Sequence, residues 1–167
     1  LLALDPSHGE GWFLRGIVAM QHHAYAEAEG AFERAKASGA DQHKAALGIV
    51  MAAMGNNRAE AAWSQLIQLC ANEPDDEECM HWLLRCGTVL QRWDEVASRL
   101  VTFLARNPGN VPMRFAFAGV LLRAGRKAEA QREYDTLCVL APAFDGMSDL
   151  AKQLGETESR LVPNHAA

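Results

Sequence analysis

The chain has 167 residues, 49% of them hydrophobic and 22% charged, and a formal net charge of −5. This is the balance of a water-soluble globular chain, and the acidic excess argues against nucleic acid or anionic membrane surfaces as partners, since both call for clustered Lys and Arg. The longest apolar run, Ala45 to Met54, is about half a membrane span, so direct membrane insertion is not expected.

Four seventeen-residue pieces follow one another at a spacing of 34: AYAEAEGAFERAKASGA from Ala24, RAEAAWSQLIQLCANEP from Arg58, RWDEVASRLVTFLARNP from Arg92 and RKAEAQREYDTLCVLAP from Arg126. Small residues recur at Ala28, Ala62, Val96 and Ala130, large ones at Phe32, Leu66, Leu100 and Tyr134, and apolar ones at Ala35, Leu69, Phe103 and Leu137. Within each piece these stand at i, i+4 and i+7, one face of an α-helix. Prolines close three of the pieces at Pro74, Pro108 and Pro142, with Ala40 breaking the series, and Pro6 stands one period earlier still. A proline past the last apolar turn stops a helix, and a fixed period of this length marks a helical repeat array.

In chain order, residues 1–8 (LLALDPSH) read as the end of a preceding repeat, so a further repeat is expected before them. Four repeats follow at 9–42, 43–76, 77–110 and 111–144, each with two helices. The first helices are expected at about Gly9 to His22, His43 to Gly55, Glu77 to Leu90 and Val111 to Ala124, with turns in HHAY, GNNR, QRWD and GRKA. Turns this short make each pair antiparallel. The acidic run Glu73 to Glu78 precedes a helix and reads as a cap. Asp145 opens a capping helix over 145–155, with Met147, Leu150, Ala151 and Leu154 on one side and Gly155 at its end. A polar tail, 156–167, completes the chain, with SRLV able to add a short helix.

Trp12, Gly16, Tyr25, Ala28, Phe32 and Ala35 in repeat one, and Leu83, Gly87, Trp93, Glu95 and Pro108 in repeat three, resemble the tetratricopeptide repeat (TPR) family, whose unit has 34 residues. The resemblance spans Leu1 to about Phe144. It implies an all-α fold: an α-solenoid of antiparallel helix pairs wound as a right-handed superhelix, with a C-terminal capping helix. Departures are Arg15 in place of the usual Leu, and Ala46 and Val50 in place of Trp and Gly.

Cys70, Cys79, Cys86 and Cys138 have neither CxxC spacing nor a disulfide framework, and read as small core hydrophobes. Unpaired thiols favour a reducing cytoplasm, with the periplasm as the alternative. His22 and His23 sit at a helix-turn boundary without a second ligand cluster, and His8, His43 and His165 are scattered, so neither a metal nor another cofactor is expected. No nucleophile turn, phosphate loop or paired catalytic carboxylate stands out, and the chain does not read as an enzyme.

In a TPR-like array the first helices line the concave surface, and the resemblance maps the family's ligand-facing positions onto Phe13, Ile17 and Met20, then Leu47, Met51 and Met54, then His81, Arg85 and Thr88, then Phe115, Gly119 and Leu122, with Arg123 beside them. An apolar stripe of this kind marks an interaction site. Methionines adapt to varied ligands, and Arg85 and Arg123 could take a carboxylate or carbonyl. The expected function is a non-catalytic scaffold that holds a peptide or amphipathic helix in this groove. The alternatives are an accessory arm of a larger enzyme or secretion machine, and a TPR protein of the secretion-chaperone kind. Self-association through the outer edge of repeat one, with Trp12 and Leu1, Leu2 and Leu4, is a further expectation. A carboxylate clamp is disfavoured, because Phe13, Ile17, Gly48, Glu78 and Trp82 stand at its basic and amide positions.

Overall fold

A computed structural model describes residues 8–161, and the side-chain surroundings of 8–155. Among these there are nine helices and no strand. The chain divides between Gln91 and Arg92 into two compact units. The first holds α1 (Gly9–Gln21), α2 (Tyr25–Ala37), α3 (Gln42–Gly55), α4 (Ala59–Asn72) and α5 (Glu77–Leu90). The second holds α6 (Trp93–Arg106), α7 (Val111–Arg123), α8 (Lys127–Leu140) and α9 (Met147–Leu161). Leu1, Leu2 and Leu4, read above as the end of a preceding repeat, lie outside the described residues, as does the end of the tail.

The two kinds of helix begin in different ways. The later first helices carry side-chain caps: Asp41 accepts from Lys44 N–H at 3.0 Å, Asp76 from Glu78 and Cys79 N–H at 2.8 and 3.2 Å, and Asn110 from Met113 N–H at 3.0 Å. Each satisfies donors that the first turn cannot use internally. The acidic run before α5 therefore supplies a cap. The second helices α2, α4, α6 and α8 have no side-chain cap. A single left-handed residue stands two positions before each: His23, Asn57 and Gln91 at φ 57°, 58° and 56°, and Gly125 at 75°. These four stand 34 apart, so the period seen in side chains is also a period of the backbone. Bonds from Ala24 N–H to Ala19 O, Arg58 N–H to Ala53 O and Arg126 N–H to Leu121 O close the preceding helices across three of these turns.

Successive helices pack on one another within each unit, and in the first unit α3 also touches both α1 and α5. The core among the described residues is wholly apolar. Phe32, at 1% exposure, is wedged between two helices that offer it glycines: a β-carbon would stand 2.5 Å from its ring at Gly16 and 2.7 Å at Gly48. Small residues here let α1 and α3 close on one large ring. Ala28, Ala62, Val96 and Ala130 are all buried at the repeated small position.

Two expectations need correction. Cys138 is exposed, unlike the buried Cys70, Cys79 and Cys86; it lies one turn from Tyr134, and the two side chains hydrogen-bond, which raises the tyrosine's pKa. Trp12 is half-buried, with Arg15 and Arg34 holding guanidinium carbons 5.4 and 4.6 Å from its ring centre. Arg15, the departure from Leu, also pairs with Glu27 at 2.7 Å. Finally, α9 continues through Gly155 to Leu161, where a tail was expected from 156 onward. An interior glycine costs a helix only about 1 kcal/mol, and the residues after it are tolerant of helix.

Candidate ligand-binding groove

In the first unit, the ends of α1, α3 and α5 enclose a cavity of about 430 Å³, within the range of ligand pockets. Met20, Met51 and Met54 form its apolar wall, all three only partly buried. Trp82, Arg85 and Val89 face them from α5, and Tyr25 with Asn57 borders the turn side. The Arg85 guanidinium lies 5.1 Å from the Trp82 ring centre, a cation–π contact. Among the described residues Arg85 makes no salt bridge, so its donors remain open to a ligand. Val89, at 61% exposure, is a branched apolar side chain held in solvent at the rim.

The site thus contains four of the residues expected to bind ligand: Met20, Met51, Met54 and Arg85. The others are placed differently. Phe13 is half-buried, 5.5 Å from Phe32 between ring centres, and belongs to the core edge. Ile17 is exposed beside it on α1, outside the cavity lining. Leu47 is 4% exposed and leaves the stripe, because α3 is flanked on both sides by α1 and α5. His81 and Thr88 are exposed and turn to their own helix, bonding Glu77 O and Leu84 O. In the second unit, Phe115 packs on Phe144, 5.3 Å between ring centres, and a β-carbon at Gly146 would stand 2.8 Å from its ring. The turn before α9 therefore covers Phe115. Leu122 is half-buried and Arg123 exposed.

Trp82, Val89 and Tyr25 were absent from the expected lining. The signal for two of them lay in the sequence: Trp82, Arg85 and Val89 stand at i, i+3 and i+7, a helix face one residue out of phase with the stripe at His81, Arg85 and Thr88. Gly55 explains Tyr25, since a β-carbon there would meet its ring at 2.5 Å. Tyr25 Oη also hydrogen-bonds with His23 Nδ1 at 2.8 Å, which ties the left-handed turn to the cavity rim.

A second cleft of about 200 Å³ lies between α1 and α2 around Trp12, Arg15, Glu27 and Arg34. Its charges are partly spent on one another through Arg15 and Glu27. Among the described residues no helix is long and apolar enough to cross a membrane.

No protein-family profile matches the sequence, and no curated protein does. Solved structures are similar to it. A tetratricopeptide repeat protein from Parabacteroides merdae superposes with a TM-score of 0.82 at 10% identity, over 92% of this chain and 61% of that one. YrrB, described as a TPR protein with an unusual peptide-binding site, gives 0.69 at 16% identity over 95% and 78%. MamA from MSR-1 gives 0.63 at 23% identity over 92% and 90%. Likeness at these identities speaks for the fold, and with the 34-residue recurrence of side chains and backbone it gives one conclusion: the chain has the tetratricopeptide repeat fold.

Proposed function

We propose that the chain is a protein-interaction scaffold whose first unit binds a peptide or an amphipathic helix in the cavity between α1, α3 and α5. The observation that carries this reading is Arg85: stacked on Trp82 and beside Met20, Met51 and Met54, it has no carboxylate partner among the described residues. A preorganised guanidinium next to a flexible apolar wall suits a ligand with an apolar anchor and a nearby carboxylate or free backbone carbonyl. The likeness to YrrB supports a peptide as the class of ligand. In this reading the scaffold acts by binding.

The test is selection from a peptide library followed by titration against Met51→Glu and Arg85→Glu, with helicity checked for each. Loss of an anchor should cost about 2 kcal/mol, roughly 30-fold in affinity. Peptides that bind both variants as tightly as the parent would move the site off this surface.

A further inference from the structure

None of the groove residues takes part in a second cluster, built where α3 begins and α4 passes into α5. An imidazole nitrogen of His43, a carboxylate oxygen of Asp76 and the sulfur of Cys79 all lie within 4.8 Å of one another. His43 Nε2 stands 2.6 Å from Asp76 Oδ2. The Cys79 thiol is hydrogen-bonded with Cys70 as well as with Asp76. We propose that His43, Asp76 and Cys79, with the adjoining Cys70 as the fourth donor, form a tetrahedral site for a zinc-type divalent cation.

The donor set argues for the ion. Two sulfurs, one imidazole nitrogen and one carboxylate oxygen suit zinc, whereas magnesium and calcium take oxygen. Bond lengths of about 2.0 to 2.3 Å place tetrahedral donors roughly 3.3 to 3.8 Å apart. His43, Asp76 and Cys79 are gathered within 4.8 Å of one another, with Cys70 joined to them through its hydrogen bond with Cys79, and the shortest contact, between His43 and Asp76, has to open by less than about 1 Å to admit an ion in place of the proton it shares.

The surroundings supply a second argument. Asp76 Oδ1 is held by Glu78 and Cys79 N–H, which fixes the carboxylate and leaves Oδ2 directed at the cluster. His43 is less well served. With the proton on Nε2 facing Asp76, Nδ1 is a buried atom without a hydrogen bond, although Glu73 Oε1 is 3.2 Å away. A neutral ring carries one proton and cannot donate to both carboxylates. A cation on Nε2 moves that proton to Nδ1, where Glu73 can receive it, the usual carboxylate support of a metal-bound histidine. The two thiols lose their protons to solvent as the ion binds. Cys70 and Cys79 are buried while His43 is a quarter exposed, so the ion enters from the histidine side.

The experiment is titration of the reduced, metal-stripped full chain with Co²⁺, followed by displacement with Zn²⁺. The expected result is one ion per chain, with thiolate-to-cobalt charge-transfer absorption and the intense visible bands of tetrahedral Co²⁺. Cys70→Ser should retain binding but lose about half of the charge-transfer intensity, and Cys79→Ser and His43→Gln should each weaken Zn²⁺ by at least about tenfold. Should Cys79→Ser fail to fold, His43→Gln at the exposed side decides. Octahedral, thiolate-free cobalt, or unchanged Zn²⁺ affinity in His43→Gln, overturns the site.

Discussion

The ring of Phe32 lies so close to Gly48 that a β-carbon on that glycine would stand 2.7 Å from its Cδ1 atom. Gly48→Ala should therefore force ring or helix to move and destabilise the protein by about 1 to 3 kcal/mol. Gly119 is the control: it is also helical, but nothing stands within 4 Å of a β-carbon there. Gly119→Ala should stabilise by about 0.5 to 1 kcal/mol, the ordinary helix preference. Denaturant midpoints that move the same way for both would show that Phe32 does not set the spacing of α1 and α3.

The left-handed turns give a second pair of opposite signs. Gln91 carries a side chain at φ 56°, where glycine is preferred, and Gly125 occupies the equivalent place at 75°. Gln91→Gly should stabilise and Gly125→Ala destabilise, each by about 1 kcal/mol. Thermal midpoints test this; a drop for Gln91→Gly would mean that glycine's freedom in the unfolded chain outweighs the relief.

Most of the fold was legible because two independent signals agree. The 34-residue spacing located each helix pair, and Asp, Asn, Gly and Pro marked the ends, so observed helix limits such as Glu77–Leu90 coincide with those read from sequence. The groove was less legible. Carrying a family's positions from repeat to repeat assumes that every first helix turns the same face outward, and a shift of one residue rotates the face by about 100°. That is why Trp82 and Val89 replaced His81 and Thr88, while Leu47 was covered by neighbours that its own helix could not reveal. The His43 cluster was invisible for a different reason: its donors come from three elements, and no linear spacing records that meeting.

Trp82 gives a direct optical test of the groove. Because it stacks with Arg85 at the cavity wall, a bound peptide should change tryptophan emission, and Trp82→Phe should remove most of that change. Trp82→Ala should weaken the same peptide about tenfold or more. Phe13→Ala should instead lower the thermal midpoint, since its ring rests on Phe32. An emission change that survives Trp82→Phe would point to Trp12, Trp63 or Trp93.

The Asp41 cap predicts an acid-side effect. Its carboxylate is held below the usual value chiefly by the hydrogen bond from Lys44 N–H. A depressed folded pKa means stability that is present above the unfolded value, about 3.9, and lost as pH falls through the lower folded value. Asp41→Asn keeps the acceptor but cannot titrate, so it should flatten the stability profile in that window. Parallel acid-unfolding curves for the two proteins would show that the cap carries no charge dependence.

His23, Asn57, Gln91 and Gly125 also act as a ruler. Because the left-handed conformation before each second helix recurs at the same interval as the buried faces, losing a single residue within a repeat throws both out of phase, whereas removing 34 residues from one such turn to the next rejoins them in step. Such a chain is open to change in whole repeats and closed to change in single residues. Its length therefore evolves in jumps, while drift within a repeat is confined to substitution.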